Sequence, residues 1–591
     1  MPGISALVDE IVRIPKPFRG ALTRLLGIDQ LDRLYHSTVK DRPIEQQILN
    51  KLAVTYRVSG LDLQQIPRTG ATVVVANHPF GILEGAVLAT VLQQIRPDVR
   101  FLANRVLGRI PEIQDLIIPV DVMGGTGQSN STGLRRAIEF LHGGGCLVVF
   151  PAGEVSHFQP REGMVADSEW HTTVARLVES LSRKNVAVST VPVYIRGSNS
   201  FLFQILGMLH PRIRTALLVR ELLNKQDRLV ELRIGSPITH KKLLELPTPK
   251  ERTEYLRWRT YLLAGRSDFK PRTSVPLLNR LRQRTSCAVM AAVDRNILVS
   301  EVAALTREQR LFQAGDLEVY VTPAHAIPAV LEEIGRLREL TFRAVGEGTG
   351  KSTDVDGFDA HYLHLFVWNA AKQEIVGAYR LAGTDVTRDL YTATLFKYTG
   401  DFLDKLGPAL ELGRSFVRPE YQRGFAPLLA LWKGIGAYVA QNPQYKTLFG
   451  PVSISNQYQA VSRELMVAFL ERNASLLDWA SLISSRNPFK RRSGTPLPSS
   501  EGFDLEDLSD CVADLEPTRT GVPVLLRQYL KLGGKLLGFN LDPEFSDALD
   551  GLIVVDLTKT EPRLLERYLG KAEAQDFLKH QKGTRSEKHV P

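Results

Sequence analysis

Cysteines and long hydrophobic runs are scarce in this chain of 591 residues. The three cysteines, Cys146, Cys287 and Cys511, are scattered and lack ligand-like spacing, so neither a disulfide framework nor a zinc site is indicated. No apolar run reaches the ~18–20 residues that a membrane-spanning helix needs, and the N-terminus lacks a signal-peptide core. We therefore expect a cytoplasmic protein that binds no metal.

Negative charge is outweighed by positive charge, and the formal net charge is +10 at pH 7. Such an excess suits either nucleic acid or an anionic membrane surface. The sequence lacks the interleaved aromatic and basic residues that stack bases, which disfavours nucleic acid. Residues 1–39 combine apolar residues at helical spacing with interspersed Lys and Arg. This pattern predicts an amphipathic segment on the inner face of the cell membrane, and packing on the protein's own domain is the alternative.

The length of the chain predicts more than one domain, because single cores rarely grow past roughly 250–300 residues. Residues 40–270 alternate apolar strands with helical patterns, which indicates an α/β layer architecture. A basic segment punctuated by prolines follows at 271–315 and is interpreted as a linker. The alternative is a basic face that attracts anionic lipid or an acidic carrier protein. Residues 316–591 form the second domain, in which 363–368 and 375–381 are predicted to be paired strands.

The first candidate site follows the buried strand that ends at Ala76. Asn77 and His78 come next, and Pro79 and Gly81 force a turn before a helical pattern. A His at a strand end with a carboxylate beyond it suits a general base. Residues six apart point to different faces of a helix, so His78 and Glu84 can meet only through the bend. The alternative is a structural His at the end of a strand.

Two further strands lead into turns that have candidate binding residues. One runs into Phe150-Pro151-Ala152-Gly153-Glu154-Val155-Ser156, and the other contains Val191-Pro192-Val193. In open α/β sheets, ligands bind where strands end in this way.

The turn that contains His78 and the two strand-to-turn segments resemble motifs of the glycerolipid and lysophospholipid acyltransferase family, in its haemolysin-like branch. His78…Glu84 is similar to the family's His-(x)n-Asp motif, with one residue more and Glu in place of Asp. The resemblance implies that His78 deprotonates a hydroxyl that attacks an acyl thioester directly, with Glu84 as the orienting acid. It also implies substrate-binding roles for several residues, namely Asn77, Phe150, Pro151, Gly153, Glu154 and Pro192.

One departure bears on the acceptor. Val155 replaces the family's Arg, which is implicated in gripping the acceptor's phosphate, so an acceptor without that phosphate fits better. A lyso-aminolipid is such an acceptor. Glu154 is then a candidate partner for a cationic headgroup, and a simple turn residue is the alternative.

The second domain contains a strand at 410–417, a turn rich in basic residues and Gly, and a helix from Pro427. Such a helix N-terminus can hold an anion. The turn resembles motif A of the GNAT acyltransferases, which implies a GNAT-like α+β domain. The implied contacts to the pantetheine-phosphate arm of the donor come from Val417, Tyr421, Gln422, Arg423 and Gly424.

Within that superfamily, Asp359…His361, Val376-Gly377-x-Tyr379-Arg380 and Glu411-Leu412-Gly413-Arg414 resemble N-acyltransferases that load 3-hydroxyacyl groups onto ornithine. The resemblance implies catalytic roles for Glu411 and Arg414 and a substrate-binding role for Arg380. A structural salt bridge between Glu411 and Arg414 is the alternative. The implied donor is an acyl–acyl carrier protein or acyl-CoA, with no bound cofactor.

The pairing of the two domains resembles the bifunctional enzymes of ornithine-lipid synthesis. In that interpretation the second domain N-acylates ornithine and the first O-acylates the resulting lyso-lipid. The alternatives are glycine, another amine or a lysophospholipid as acceptor, and a membrane-associated module that binds carrier protein through an inactive GNAT half.

Overall fold

The computed structural model describes residues 27–39, 43–120, 127–160, 163–209, 211–267, 287–491, 497–498 and 502–587. They divide between two compact units, Met1–Asp268 with Pro498–Gly521 and Phe269–Leu497 with Val522–Pro591. Most of the predicted amphipathic segment (1–26) and much of the predicted linker (271–286) lie outside the described residues. The described end of that amphipathic segment forms helix Ile28–His36, which buries Ile28 and Leu31 in the core of the first unit.

The first unit is built on an eight-stranded sheet. Its strands are β1 Thr55–Arg57, β2 Thr72–Ala76, β3 Val99–Asn104, β4 Ile117–Val120, β5 Cys146–Val149, β8 Ser189–Arg196, β9 Leu229–Ile234 and β10 Ile238–Thr239, while β6 His157–Gln159 and β7 Met164–Ala166 form a separate hairpin. The order is β1-β9-β8-β2-β5-β3-β4, with β10 also on β8. β2 lies parallel to both β5 and β8, so the carboxyl ends of these three strands meet at one edge.

Helices surround this sheet. They span Ile28–His36, Ile44–Lys51, Gly60–Leu63, Leu83–Gln93, Gly127–His142, Thr173–Ser182, Phe201–Leu209, Pro211–Leu223, His240–Glu245, Pro249–Leu262 and Leu505–Leu515. Every residue of β2 is buried, as expected for a parallel strand in the middle of a covered sheet. The core therefore encloses the strand that leads to His78.

Helix Leu505–Leu515 belongs to the first unit, although its residues fall within the predicted second domain of 316–591. Asp514 at its end is buried; its carboxylate accepts hydrogen bonds from Arg259 at 2.9 Å and from Arg519 at 2.6 Å. It also accepts the backbone N–H of Ser236 at 2.7 Å. A buried carboxylate needs partners of this kind, and the sequence gives no local sign of a partner that lies 255 positions away.

The second unit is built on another eight-stranded sheet, in the order β11-β12-β13-β14-β16-β17-β20-β19. Its strands are β11 Arg310–Ala314, β12 Leu317–Pro323, β13 Leu363–Asn369, β14 Glu374–Gly383, β16 Ala409–Val417, β17 Thr447–Ile454, β19 Lys535–Asp542 and β20 Ala548–Asp556, with β15 Phe396–Tyr398 and β18 Ile483–Ser485 as a separate pair. All pairs in this sheet are antiparallel except β16 with β17. That parallel pairing covers only Ala409–Glu411, after which the two strands no longer pair.

The helices of the second unit span Arg295–Ala303, Pro328–Ala344, Thr392–Leu395, Phe402–Leu406, Ala426–Gln441, Ala460–Asn473, Leu477–Ala480, Val524–Lys531, Pro562–Leu569 and Lys571–Glu587. The predicted strand pair appears as β13 and β14, which are joined in antiparallel register. In the part of the chain that the structure describes, every helix is too short or too polar to cross a membrane.

The Asp514 contacts predict a large stability effect. Asp514→Ala leaves Arg259 and Arg519 buried without this carboxylate, and we expect the free energy of unfolding to fall by about 3–5 kcal/mol. Urea denaturation of the full chain measures the change. The matched control is Glu254→Ala, since Glu254 forms an exposed ion pair with Lys250 on the helix that also bears Arg259. The control should alter stability by less than about 1 kcal/mol, and an equal loss in both variants would contradict the prediction.

Candidate functional site

His78 lies two residues beyond the carboxyl end of β2, at the edge where β5 also ends. Its imidazole stacks on the ring of Phe150, the first residue after β5, with ring centroids 4.3 Å apart and planes inclined by 23°. The His78 side chain is 16% exposed, so a substrate can reach it. The structure thus brings together two residues that the sequence analysis proposed from separate motifs.

Glu84 meets His78 through the Pro/Gly bend. Its Oε1 lies 2.8 Å from His78 Nδ1 and accepts the backbone N–H groups of Phe80 at 2.9 Å and Gly81 at 2.8 Å. The carboxylate is fully buried, which opposes ionisation. The charge and hydrogen bond of His78, with the two N–H groups, outweigh this penalty and lower the pKa of Glu84 below its ordinary value. Glu84 therefore stays ionised and can hold the imidazole by Nδ1, so that Nε2 is the nitrogen available to a hydroxyl.

The bend depends on Gly81. Its φ is +106°, a region that side chains other than Gly rarely adopt. A Cβ at this position would also lie 2.8 Å from the Cδ2 atom of Leu218. The turn brings the backbone N–H groups back onto Glu84 at the start of helix Leu83–Gln93, where the helix dipole also favours a negative charge.

Asn77 acts as a bridge between strands. Its side-chain amide donates to the carbonyl of Ile195 at 2.9 Å and accepts the N–H of the same residue at 2.7 Å. Both groups of the amide are used, so Asn77 joins the ends of β2 and β8. These two hydrogen bonds fix the backbone next to His78, and this role differs from the substrate contact that the resemblance implies.

Asp167 is a buried residue of this site that the sequence analysis missed. Its carboxylate accepts the backbone N–H of His78 at 3.1 Å, the hydroxyl of Ser156, and the indole N–H of Trp170 at 2.8 Å. Burial raises the pKa of Asp167 despite these hydrogen bonds. Asp167 therefore connects the two motifs, through the backbone at His78 and the side chain of Ser156. Only its place beyond β7 marks it in the sequence.

The other predicted residues of the first unit occupy different surroundings. Pro151 is buried and accepts the N–H of His171 at 2.9 Å, and Gly153 forms the turn after Phe150 with φ +69°. The carboxylate of Glu154 pairs with Arg214 and accepts the hydroxyl of Ser168. Pro192 is buried within β8, opposite Val75, and is not brought to the imidazole.

A second candidate site lies in the second unit, at a β-bulge in β16. The register between β14 and β16 shifts between Ala378 and Arg380, which leaves one extra residue on β16 at Arg414 and Ser415. Arg414 has φ +49°, an uncommon conformation for a residue with a side chain. Backbone strain of this kind concentrates at functional positions.

The bulge directs Arg414 to a cavity of about 150 Å³. The guanidinium lies over the rings of Tyr391 at 4.8 Å and Phe545 at 4.3 Å, and it donates to Asp356 at 3.3 Å. The lining also includes Phe342, Glu347, Ser415, Pro451, Ser453, Leu525, Asp542 and Asp550. The three carboxylates of this lining, Glu347, Asp542 and Asp550, were not predicted as site residues, because their positions in the sequence form no motif.

Glu411 and Arg380 are not part of the cavity lining, but they hold residues of this site in place. The buried carboxylate of Glu411 accepts the hydroxyl of Tyr362 and the N–H groups of Thr392 at 2.7 Å and Tyr391 at 3.3 Å. It therefore anchors the turn that carries the Tyr391 ring, and its charge is not paired with Arg414. Arg380 is fully buried and donates to Asp356 at 2.7 Å, so it shares that carboxylate with Arg414.

The predicted donor-binding residues surround the N-terminus of helix Ala426–Gln441. Arg423 and Gly424 are exposed just before it, whereas the Gln422 side chain donates to the carbonyl of Val417 at 2.8 Å. The Tyr421 hydroxyl donates to Glu374 at 2.6 Å, and Glu374 contributes to raising the pKa of Tyr421 to about 12, after the larger effect of burial. The helix N-terminus and Arg423 are thus open to an anion.

Comparison with known proteins agrees with both units. Residues 29–269 match the protein-family profile described as Acyltransferase, and residues 337–433 match the Acetyltransferase (GNAT) domain profile. The glycine N(alpha)-acyltransferase of Bacteroides thetaiotaomicron is 31% identical over 301 residues, which covers 47% of this chain and 88% of that protein. This chain belongs to the same acyltransferase family. The predicted enzyme class and the two-part α/β fold class are confirmed.

Two more relatives are similar to this acyltransferase. The lyso-glycine lipid O-acyltransferase of Bacteroides thetaiotaomicron is 25% identical over 276 residues, covering 43% of this chain and 96% of that protein. The L-ornithine N(alpha)-acyltransferase of Brucella abortus is 28% identical over 290 residues, covering 45% of this chain and 93% of that protein. The chain is therefore an acyltransferase related to enzymes that acylate amines and lipids.

The contact between His78 and Glu84 predicts the effect of a conservative change. Glu84→Gln keeps an oxygen for the Phe80 and Gly81 N–H groups but removes the charge that stabilises the imidazolium. We expect kcat for O-acyl transfer to fall by about 100-fold or more with KM nearly unchanged, and His78→Ala to be at least as damaging. Initial rates with an acyl thioester and a 3-hydroxyacyl amide measure this. Glu179→Gln is the control, because Glu179 pairs with Arg183 and Arg252 elsewhere in the unit. Wild-type rates for Glu84→Gln would contradict the orienting role.

Proposed function

We propose that this acyltransferase is bifunctional and makes a diacylated aminolipid. The second unit transfers a 3-hydroxyacyl group to the α-amine of ornithine, and the first unit then esterifies the 3-hydroxyl with a second acyl chain. The observation that carries the proposal is the presence of two separate candidate sites in one chain, the His78–Glu84 pair and the Arg414 cavity. The two reactions fit together because the first creates the hydroxyl that the second consumes.

The names of the relatives support this division of work. One is described as an N-acyltransferase of glycine, one as an O-acyltransferase of lyso-glycine lipid, and one as an N-acyltransferase of ornithine. Glycine is therefore the second candidate acceptor, since the glycine relative has the higher identity of the two N-acyltransferases. An acyl–acyl carrier protein is the proposed donor for the N-acyl step.

The first unit performs its step through His78. Nε2 accepts the proton of the lyso-lipid hydroxyl as the oxygen attacks the thioester carbonyl, while Glu84 holds Nδ1 and stabilises the imidazolium. The protonated imidazole then supplies a proton to the departing thiolate. Val155, which replaces the family's Arg, is buried, and the Glu154 carboxylate is already paired with Arg214. A cationic headgroup at Glu154 would have to displace that guanidinium, so this residue has a weaker case as a headgroup ligand.

The lipid acceptor reaches this site from a membrane surface in the proposal. Helix Phe201–Leu209 begins after β8, at the same edge as His78, and the Asn199 side chain ties this region to the carbonyl of Phe80 at 3.1 Å. Phe201 is 80% exposed, and Leu202 and Ile205 are also exposed on this helix. Large apolar side chains on one exposed helix suit contact with the bilayer interface. We propose peripheral attachment to the inner face of the cell membrane through anionic lipids.

Lipid profiling tests the two roles together. Mass spectrometry of lipids from a host that expresses the wild type should show a new diacylated aminolipid. His78→Ala should accumulate its mono-acylated lyso form, because only the second step is lost, and Arg414→Ala should abolish both species. The mass of the headgroup distinguishes ornithine from glycine. If only the phospholipid pool changes and only His78 matters, the aminolipid proposal is wrong, and the alternative of an inactive GNAT half is favoured.

The open helix N-terminus predicts a separate effect on the donor. Arg423→Ala should raise KM for the acyl–acyl carrier protein roughly fivefold, equivalent to about 1 kcal/mol, because it removes a charge from an exposed phosphate site. The value of kcat and the KM for the amine should stay close to wild type. Arg388→Ala is the control, since Arg388 is an exposed arginine of the same unit that pairs with Asp404. An unchanged donor KM in Arg423→Ala would remove this residue from the donor site.

A further inference from the structure

Three carboxylates, Glu347, Asp542 and Asp550, line the cavity beside Arg414. Asp550 lies on β20, directly opposite Ser453 on β17 and Asn540 on β19. Asp542 ends β19 two residues beyond Asn540, and residues two apart on a strand share a face. The sheet register therefore places Asp542 and Asp550 on one face, and Glu347 reaches the same cavity from the loop after helix Pro328–Ala344.

Few hydrogen-bond donors or cations lie beside these three carboxylates. The hydroxyl of Ser453 donates to Asp550 at 2.6 Å, and Asp542 accepts the backbone N–H of Glu544 at 2.9 Å and the Tyr391 hydroxyl at 3.4 Å. Among the described residues, the Glu347 side chain has no hydrogen bond or ion pair. Arg414 is the cationic side chain in the cavity lining, and its guanidinium already pairs with Asp356 and lies 3.8 Å from Asp354. The carboxylates of the cavity are thus incompletely neutralised, and a cationic ligand would stabilise their ionised forms.

A second observation points to a ligand at the same place. The Nε atom of Arg414 is buried and has no hydrogen-bond partner in the described part of the chain, and the side chain is nine-tenths buried. An unpaired buried N–H is costly, and it is satisfied when a ligand supplies an acceptor. The cavity lining therefore combines a donor for an anion, Arg414 Nε, with carboxylate acceptors for a cation. An amino acid zwitterion carries both groups.

We propose that Asp550, assisted by Asp542 and Glu347, binds the α-ammonium of the amine acceptor and accepts its proton, while Arg414 Nε binds the α-carboxylate. This inference rests on the proposed N-acylation by the second unit. In the reaction, one proton passes from the ammonium to the Asp550 carboxylate, and the freed nitrogen lone pair attacks the thioester carbonyl. The C–N bond forms and the C–S bond breaks. The second proton on nitrogen goes to the thiolate, and Asp550 releases its proton to water.

The electrostatics of the cavity suit a base at neutral pH. Burial and the charges of Asp542 and Glu347 raise the pKa of Asp550 to about 7, although Ser453 and Arg414 favour its ionised form. Burial and Asp542 likewise raise the pKa of Glu347 to about 7. Glu544 also faces Asp542, whose pKa is raised by burial. Since only the ionised carboxylate can take the proton, N-acylation should decline as the pH falls below about 7.

Kinetics of the full chain test this assignment, with 3-hydroxyacyl–acyl carrier protein as donor and glycine or ornithine as acceptor. Asp550→Asn should lower kcat/KM for the amine by about 100-fold or more at pH 7, with the KM for the donor unchanged. The deficit should shrink as the pH approaches the pKa of the amine, because the free amine then needs no base. Ser453→Ala removes the hydrogen bond that favours ionised Asp550, and it should shift the acid limb of the pH profile upward. Asp404→Asn, an exposed carboxylate paired with Arg388, is the control.

Each outcome decides the inference. Asn at position 550 removes a carboxylate that is costly to ionise in the buried cavity, so this variant should unfold at the same or a higher temperature than the wild type at pH 8. Loss of activity cannot then be assigned to unfolding. Wild-type kinetics in Asp550→Asn, or a loss that is equal at every pH, would overturn the role of Asp550 while leaving the proposed function intact. If the wild type itself forms no amide with either amine, both the proposed function and this inference fail.

Discussion

Buried arginine–aspartate pairing is the interaction on which both units depend. In the first unit, the carboxylates of Asp62 and Asp514 pair with the guanidinium groups of Arg266, Arg519 and Arg259. The pair between Asp514 and Arg259 joins helix Leu505–Leu515 to helix Pro249–Leu262, which lies more than 200 positions earlier in the chain. In the second unit, the guanidinium of Arg338 lies 2.8 Å from Asp359, and Arg380 shares Asp356 with Arg414. Such pairs contribute little net stability compared with apolar packing, but removing one partner strongly lowers the free energy of unfolding because it leaves a buried charge unpaired. They therefore fix position more than they add stability, and the Arg414 site inherits its geometry from them.

Each of the two candidate sites holds a carboxylate where contact with water is limited, and the pKa of that carboxylate is shifted in opposite directions. At His78, the carboxylate of Glu84 is surrounded by donors, so its pKa is lowered and it remains a fixed counter-charge. At Arg414, burial and, to a smaller extent, the charges of Asp542 and Glu347 raise the pKa of Asp550 to about 7. A lowered pKa suits an orienting group that keeps its charge, whereas a raised pKa suits a group that exchanges a proton at neutral pH.

Local sequence signals predicted strands in both units and the contact between His78 and Glu84 in the first site. The apolar run before Asn77 became β2, the two alternating segments became β13 and β14, and the Pro/Gly bend brought Glu84 to His78. Each depends on residues that are close to one another in the sequence. Asp167, Asp514 and Asp550 were not found, because their partners are far away in the sequence and an isolated Asp carries no pattern. Strand β19, which bears Asp542, was also missed, and so was its pairing with β20.

The chemistry of the two sites bears on why they occur in one chain. In the proposed reaction sequence, the second unit yields a product that is apolar at one end and charged at the other, and an amphipathic product of this kind suits a membrane surface. The exposed residues Phe201, Leu202 and Ile205 lie on the helix that begins at the edge of His78. In the proposal, this product reaches the His78 site by diffusion in two dimensions along the membrane, and the linkage of the two units in one chain raises its effective concentration there.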